Sequence, residues 1–231
     1  MASVIVDGLA VPLPVSDHPA INFCNTRAGW GASRPKEYLL GYPQFAVWAR
    51  EYDVLDAATC RALLAAGQAD PAGAAGLVDR AVRFRSGLYA VLTRGATAAD
   101  WTAVNAEVQR ALATAELVPA PVTEAITTPT GQGAPPATWA VAGRELLDHP
   151  LLAVAWSAAQ LLTSPVAASA RACPGSGCGW LFLDPRGRRR WCSMAWCGNR
   201  AKVRRHAQRQ RRELARPGHE PGPAGSQEPI V

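Results

Sequence analysis

Four cysteines constrain this chain more than any other feature. They fall in two pairs, Cys173/Cys178 and Cys192/Cys197, within the stretch CPGSGCGWLFLDPRGRRRWCSMAWCGNRAKVRRHAQRQRRELAR. Thiolates repeated at this spacing suit a metal held tetrahedrally by two loops that each give two sulfurs. Zinc is the metal such a set selects, and four thiolates leave no open position for catalysis. We therefore expect one structural Zn2+ on Cys173, Cys178, Cys192 and Cys197. A piece this small has little apolar core of its own, so the metal is expected to supply much of its folding free energy.

The residues around the cysteines give the module its form. Gly175 and Gly177 offer the positive φ angles that a tight metal loop needs. Trp180 to Leu183 reads as a strand, Asp184-Pro185-Arg186-Gly187 as a turn, and Arg189 to Cys192 as the returning strand. The second cysteine pair leads directly into a helix, with Asn199 as its N-cap. The expected form is a treble-clef-like zinc finger, a β-hairpin followed by a basic helix.

That helix is where the charge collects. Residues 186–216 carry twelve Lys and Arg against one acid, Glu213. This local +11, set against +6 for the whole chain, leaves the remainder at −5. At 100° per residue, Val203, Ala207, Gln210 and Leu214 share a narrow stripe, expected to dock on the module or the body. Arg205, Arg209 and Arg212 lie roughly opposite, and Arg200, Arg204 and Arg211 lie along one flank. Arginines crowded on one helix repel one another unless a polyanion neutralises them, and the guanidinium fork suits phosphate. The expected partner is double-stranded DNA, met by Arg188, Arg189, Arg190, Arg200, Lys202, Arg204, Arg205, Arg209, Arg211 and Arg212. An RNA-binding alternative would use Trp180, Trp191 and Trp196 as stacking surfaces.

The rest of the chain reads as a mainly α domain over residues 1–165, with a small β-hairpin. Helices are expected over 43–52, 57–67 (N-cap Asp56), from Asp70-Pro71 to Arg94, and after a capping box at Thr97 and Asp100. The third carries Leu77, Val78, Ala81, Phe84, Leu88, Val91 and Leu92 at helical spacing, and the fourth Trp101, Val104, Val108 and Leu112. Residues 19–24 fit either strand or helix. Pro- and Thr-rich residues 116–142, with the turn TPTGQGAPP, predict a hairpin. A further helix is expected over 144–162, kinked or restarted at Pro150. The zinc finger occupies 170–216, and the Pro/Gly-rich tail 217–231 is expected to be disordered.

No apolar run approaches the ~20 residues of a membrane span, and the N-terminus lacks a signal peptide's basic start and apolar stretch. The expected setting is cytoplasmic, which also fits cysteines kept as thiols or metal ligands. Cys24 and Cys60 read as buried free thiols. No P-loop, Gly-x-Ser-x-Gly or Gly-x-Gly-x-x-Gly is present. The chain is therefore not expected to be an enzyme. An enzyme alternative would need a pocket of convergent titratable groups in the helical domain.

Trp191-Cys-Ser-Met-Ala-Trp-Cys-Gly-Asn-Arg200 with Ala-Lys-Val-Arg-Arg205, and the upstream Cys173…Cys178-Gly-Trp-Leu-Phe-Leu-Asp184, resemble the CGNR zinc-finger signature. In that family the finger follows an ABATE domain, whose start is similar to Phe23-Cys24-Asn25-Thr26-Arg27. The resemblance covers about residues 15–213. It implies zinc on the four cysteines and a role in DNA binding and stress-induced transcription regulation. One departure is Cys24, where the family leads one to expect Leu or Val. A regulator's larger domain often senses a small-molecule effector or makes a homodimer. Asn25, Thr26, Arg27 and Trp30 are the candidate ligand residues, with Trp48 and Trp139 as aromatic walls. Asn25 and Thr26 serve equally well to close a turn, and Arg27 to pair with Asp53 or Asp56.

Overall fold

The N-terminal stretch turns back on itself at Asp7-Gly8, where φ is 50° and 77°. Ser3–Val6 (β1) and Leu9–Pro12 (β2) therefore pair antiparallel, with Val6 opposite Leu9. Pro19–Cys24 (α1), which fitted strand or helix from its sequence, is a helix opened by its proline, and Ala20 to Cys24 are all buried. A helix apolar on every side belongs in a core. Its one polar member, Asn22, is satisfied locally: it donates to Ser16 O at 2.6 Å and accepts from Val15 N and Ser16 N.

This computed structural model describes residues 3–119, 137–144 and 146–214. The chain divides into two compact units, Met1–Cys192 and Ser193–Val231. In the first, the two-residue strands Arg27–Ala28 (β3) and Lys36–Glu37 (β4) pair, and four helices follow. They are Tyr42–Glu51 (α2), Ala57–Ala69 (α3), Pro71–Leu92 (α4) and Ala98–Ala113 (α5). Their starts use the expected chemistry. Asp56 accepts from Thr59 N, Asp70 accepts from Gly73 N, and Thr97 and Asp100 form a reciprocal capping box. Ala115–Pro119 (β5) and Ala137–Val141 (β6) make the expected hairpin, Leu117 opposite Trp139. Its predicted turn, TPTGQGAPP, lies outside the described residues, as does the tail 217–231. His149–Leu162 (α6) begins with Pro150 in its first turn, where a missing N–H costs nothing, so of the two expected outcomes the helix starts at this proline and is not kinked by it.

The core gathers around α1. The Phe23 ring lies 5.7 Å from Phe45, 5.5 Å from Trp48 and 5.9 Å from Phe84, which brings α2 and α4 against α1. Burial of side chains this large contributes roughly 1.5–3 kcal/mol each. Leu77, Ala81, Phe84, Leu88 and Leu92 make the buried stripe of α4, as their spacing predicted. The stripe of α5 is narrower than predicted. Val104 is buried, but Trp101 and Leu112 are 52% and 51% exposed. Arg80 explains part of this, because it reaches Glu107 of α5 in a two-bond ion pair, so Glu107 and Ala111 occupy the inward face. Cys24 and Cys60 are buried free thiols. Among the described residues no helix is long and apolar enough to cross a membrane.

A partly buried ion pair lies inside this unit. Arg85 of α4 is wholly buried and meets Glu37 with both terminal nitrogens, at 2.6 and 2.5 Å, while also donating to Thr26 Oγ1 at 2.9 Å. In the second unit a π-helical turn, Met194–Gly198, runs straight into Asn199–Leu214 (α7).

Candidate metal centre

The strand carrying Leu181 pairs upstream, against expectation. Ala170–Ala172 (β7) and Leu181–Leu183 (β8) form the antiparallel pair, with Ala172 opposite Leu181. Residues 189–192 form no strand. Asp184 supplies the reason. Its carboxylate accepts from Arg188 N at 2.9 Å and Arg189 N at 3.1 Å, closing the segment into a loop. The Arg189 guanidinium then donates to Cys192 O at 2.6 Å and lies over the Phe182 ring.

The first cysteine pair sits in the turn of this upstream hairpin. Cys173 N donates to Trp180 O at 2.8 Å, and Cys178 N donates to Gly175 O at 2.8 Å. The positive φ angles fall at Gly177 (65°) and Gly179 (69°), not at Gly175. Gly179 also lacks room: a Cβ there would lie 2.7 Å from Trp30 Cβ. The second pair is set by the π turn. Ser193, extended at φ −150°, caps it and accepts from Cys197 N and Gly198 N. Asn199 is already helical and is not the N-cap; its side chain donates to Ala195 O.

All four cysteine Sγ atoms lie within 4.8 Å of one another, and all four residues are buried. Among the described residues they form the one such cluster of metal-capable groups. Zn–S bonds of about 2.3 Å in a tetrahedron place sulfurs about 3.8 Å apart. Cys178 Sγ and Cys192 Sγ are 3.7 Å apart, so the donor set fits zinc. The thiols also bear on one another. Hydrogen bonds from Cys178 and Cys192 pull the Cys173 thiol down, and the bonds to Cys173 push Cys178 and Cys192 upward. All four sulfurs can ionise at this spacing only beside a compensating cation. Arg200 adds a donor, with Nη2 3.2 Å from Cys197 Sγ.

Two family models match the chain. The CGNR zinc finger matches residues 170–210, and ABATE, described as "putative stress-induced transcription regulator", matches residues 17–165. The second spans well over half of the sequence. The chain belongs to the ABATE family. No curated protein matches it. The cofactor of its CGNR finger is one structural zinc, on Cys173, Cys178, Cys192 and Cys197.

The ABATE segment's start reaches the finger. Asn25 Nδ2 donates to Leu181 O at 2.9 Å, and Leu181 N donates back to Asn25 Oδ1 at 2.7 Å. The Asn25 amide thus extends β8 as a neighbouring strand would. Thr26 Oγ1 donates to Phe23 O and accepts from Arg85. Arg27 lies over the Trp30 ring at 4.9 Å instead of reaching Asp53 or Asp56; its carbonyl accepts from Trp180 Nε1. Asp56 pairs with Arg144. Trp30 donates to Cys24 O and stacks on Tyr89 at 3.8 Å. Tyr89 Oη donates to Gly179 O, and Gly29 N donates to Cys178 O. Of the two aromatic walls, Trp48 is core, and Trp139 is half exposed against Trp156.

The predicted nucleic-acid residues divide between the units. Arg188, Arg189 and Arg190 are exposed on the loop after β8, with Arg190 over Trp191. Arg200, Lys202, Arg204, Arg205, Arg209, Arg211 and Arg212 are exposed on α7. The docking stripe expected there is not buried: Val203 is 68% exposed, and Ala207 and Gln210 are exposed. Too few apolar side chains lie on this helix to bury a face. Trp180 is buried, with its ring nitrogen bonded, and offers no stacking surface for RNA bases. Tyr89, Gly179, and the Arg85–Glu37 pair escaped the sequence reading. The role of Asp184 was legible in principle, because an Asp that opens a turn commonly accepts backbone N–H groups just ahead.

Proposed function

We propose that this protein is a DNA-binding transcription regulator in which zinc fixes the finger and α7 carries arginine to the phosphate backbone. The observation that carries the proposal is α7 itself. Six arginines and Lys202 lie exposed between Arg200 and Arg212, with no acid in that span. Arg188, Arg189 and Arg190 extend the basic surface, and phosphate contacts of this kind supply most of a protein's non-specific hold on DNA. The finger holds a structural metal, and the role is binding without catalysis, in the cytoplasm. The ABATE segment senses a small ligand through Asn25, Thr26, Arg27 and Trp30, or mediates dimerisation. In its favour, Arg27 Nε is buried with no hydrogen-bond partner among the described residues.

The test is a footprint of the zinc-loaded chain on genomic fragments. A protected operator is expected, lost in the triple variant Arg204→Ala/Arg205→Ala/Arg209→Ala. Uniform weak binding abolished by moderate salt would reduce the role to general polyanion binding. A chain purified without chelator yet free of zinc would overturn the finger.

A further inference from the structure

An open groove of about 660 Å³ lies wholly within the unit Met1–Cys192. Its walls are the end of α4 (Thr93, Arg94), β7 with the first zinc knuckle (Arg171, Pro174), and the loop after β8 (Arg189, Arg190). Four arginines line it and no acid does. Like charges gathered so closely raise the free energy of the folded chain unless an anion joins them.

The nearest counter-charge is already committed. Asp184 is almost wholly buried, and its two oxygens accept from the backbone of Arg188 and Arg189. Arg171 Nε approaches it only to 3.7 Å and remains 59% exposed. Arg94 and Arg190 have no carboxylate within ion-pair distance among the described residues. Arg189 is fixed by three carbonyls, of Leu183, Val15 and Cys192, so it contributes a positioned charge. Arg94 is held at φ 61°, a conformation that side chains other than Gly rarely adopt. Arg94 interacts favourably with the helix C-terminus, Arg190 lies over the Trp191 ring and Arg171 has only the long contact to Asp184, and none of these brings an anion into the groove.

We propose that this groove takes the phosphodiester backbone of duplex DNA, giving the unit Met1–Cys192 a hold on DNA separate from α7. The groove rests on the DNA-binding reading, but it adds Arg94 and Arg171, which lie far from the basic helix in sequence. Phosphate is the anion that matches the fork geometry of several guanidinium groups, and an open groove admits a polymer that an enclosed pocket would exclude.

The experiment measures duplex affinity of the zinc-loaded full chain between 50 and 200 mM salt, by fluorescence anisotropy. Each phosphate contact contributes about 0.9 to the slope of log K against log salt. Arg94→Asn, which tolerates positive φ, combined with Arg171→Gln should reduce the slope by about 1.8. Over that fourfold salt range the wild type would then lose about 12-fold more affinity than the variant. Arg61→Gln/Arg83→Gln removes the same charge from exposed helix positions outside the groove and is expected to keep the wild-type slope. Zinc content and melting temperature report that each variant is folded. A wild-type slope in the groove variant overturns the groove and leaves α7 standing, as does an equal fall in the control variant. A reduced slope in the groove variant, with none in the α7 triple variant, upholds the groove and overturns the role of α7. A wild-type chain that binds no duplex at 50 mM salt overturns both.

Discussion

Asn25→Ala separates a structural from a ligand-binding role for the asparagine that opens the Asn-Thr-Arg run. Its amide exchanges two hydrogen bonds with Leu181, at 2.9 and 2.7 Å, and both residues are buried. Truncation leaves one donor and one acceptor of the Leu181 backbone without partners. Each such group costs about 1–3 kcal/mol when buried. Entry of water into the small space vacated offsets part of this, so the expected loss is about 3 kcal/mol. At roughly 2–4 °C per kcal/mol for a chain of this size, the melting temperature should fall by about 6–12 °C. Asn25→Asp keeps an acceptor for Leu181 N but sets a carboxylate against Leu181 O, so it should rescue little. The assay is thermal unfolding of the zinc-loaded protein followed by tryptophan fluorescence. A fall of less than about 2 °C for Asn25→Ala would refute the bridging argument and leave Asn25 the ligand-binding role alone.

Four further outcomes follow from the same geometry. Glu37→Gln leaves the wholly buried Arg85 without its carboxylate; a fully buried pair would cost about 3–5 kcal/mol, and because Glu37 is a third exposed we expect about 2. A urea midpoint equal to wild type would refute this, and Arg85→Met in the same chain should recover part of the loss. Gly177→Ala should cost about 1 kcal/mol, for its left-handed φ alone, whereas Gly179→Ala also drives a methyl to 2.7 Å from Trp30 Cβ and should cost about 3 or more, with zinc retention read by a chromogenic chelator. Burial pushes the Cys24 thiol up from 9.0 to about 12. Above pH 9 the unfolded thiol ionises while the folded one keeps its proton, so stability falls with rising pH by up to about 1.4 kcal/mol per unit. Cys24→Val should flatten that decline in urea midpoints taken between pH 8.5 and 10.5. On removal of zinc by chelator, hydrogen exchange at Leu181–Leu183 should stay slow, because Leu181 belongs to the hydrophobic core and is bonded to Asn25.

Helix starts were legible in the sequence because they depend on neighbours a few residues apart. Asp56, Asp70 and Thr97 with Asp100 cap where local chemistry places them. The cysteine ligands were legible for the same reason, since paired spacing encodes a metal loop. Partners distant in sequence were not. The stripe of α5 was misread at Trp101 and Leu112 because Arg80, 27 residues before Glu107, selects which face turns inward. The strand Leu181–Leu183 was paired with the wrong neighbour because Asp184 spends its carboxylate on the loop that the return strand would have used.

The hairpin half of the zinc module draws its stability from the ABATE segment as well as from the metal. A four-cysteine module considered alone needs zinc for most of its folding free energy. Yet Leu181 is wholly buried in the core around α1, Cys178 O accepts from Gly29 N, Gly179 O accepts from Tyr89, and Trp180 bonds Arg27 O. Most of these bonds end on backbone atoms, which carry no residue-specific signature, so composition and spacing could not reveal them. They hold the loop of Cys173 and Cys178 through contacts in which the metal takes no part. Zinc then has less ordering to supply at that loop. On this argument the Asn-Thr-Arg run holds the knuckle, and a ligand or substitution that disturbs Asn25 or Trp30 acts on the metal loop through one layer of hydrogen bonds.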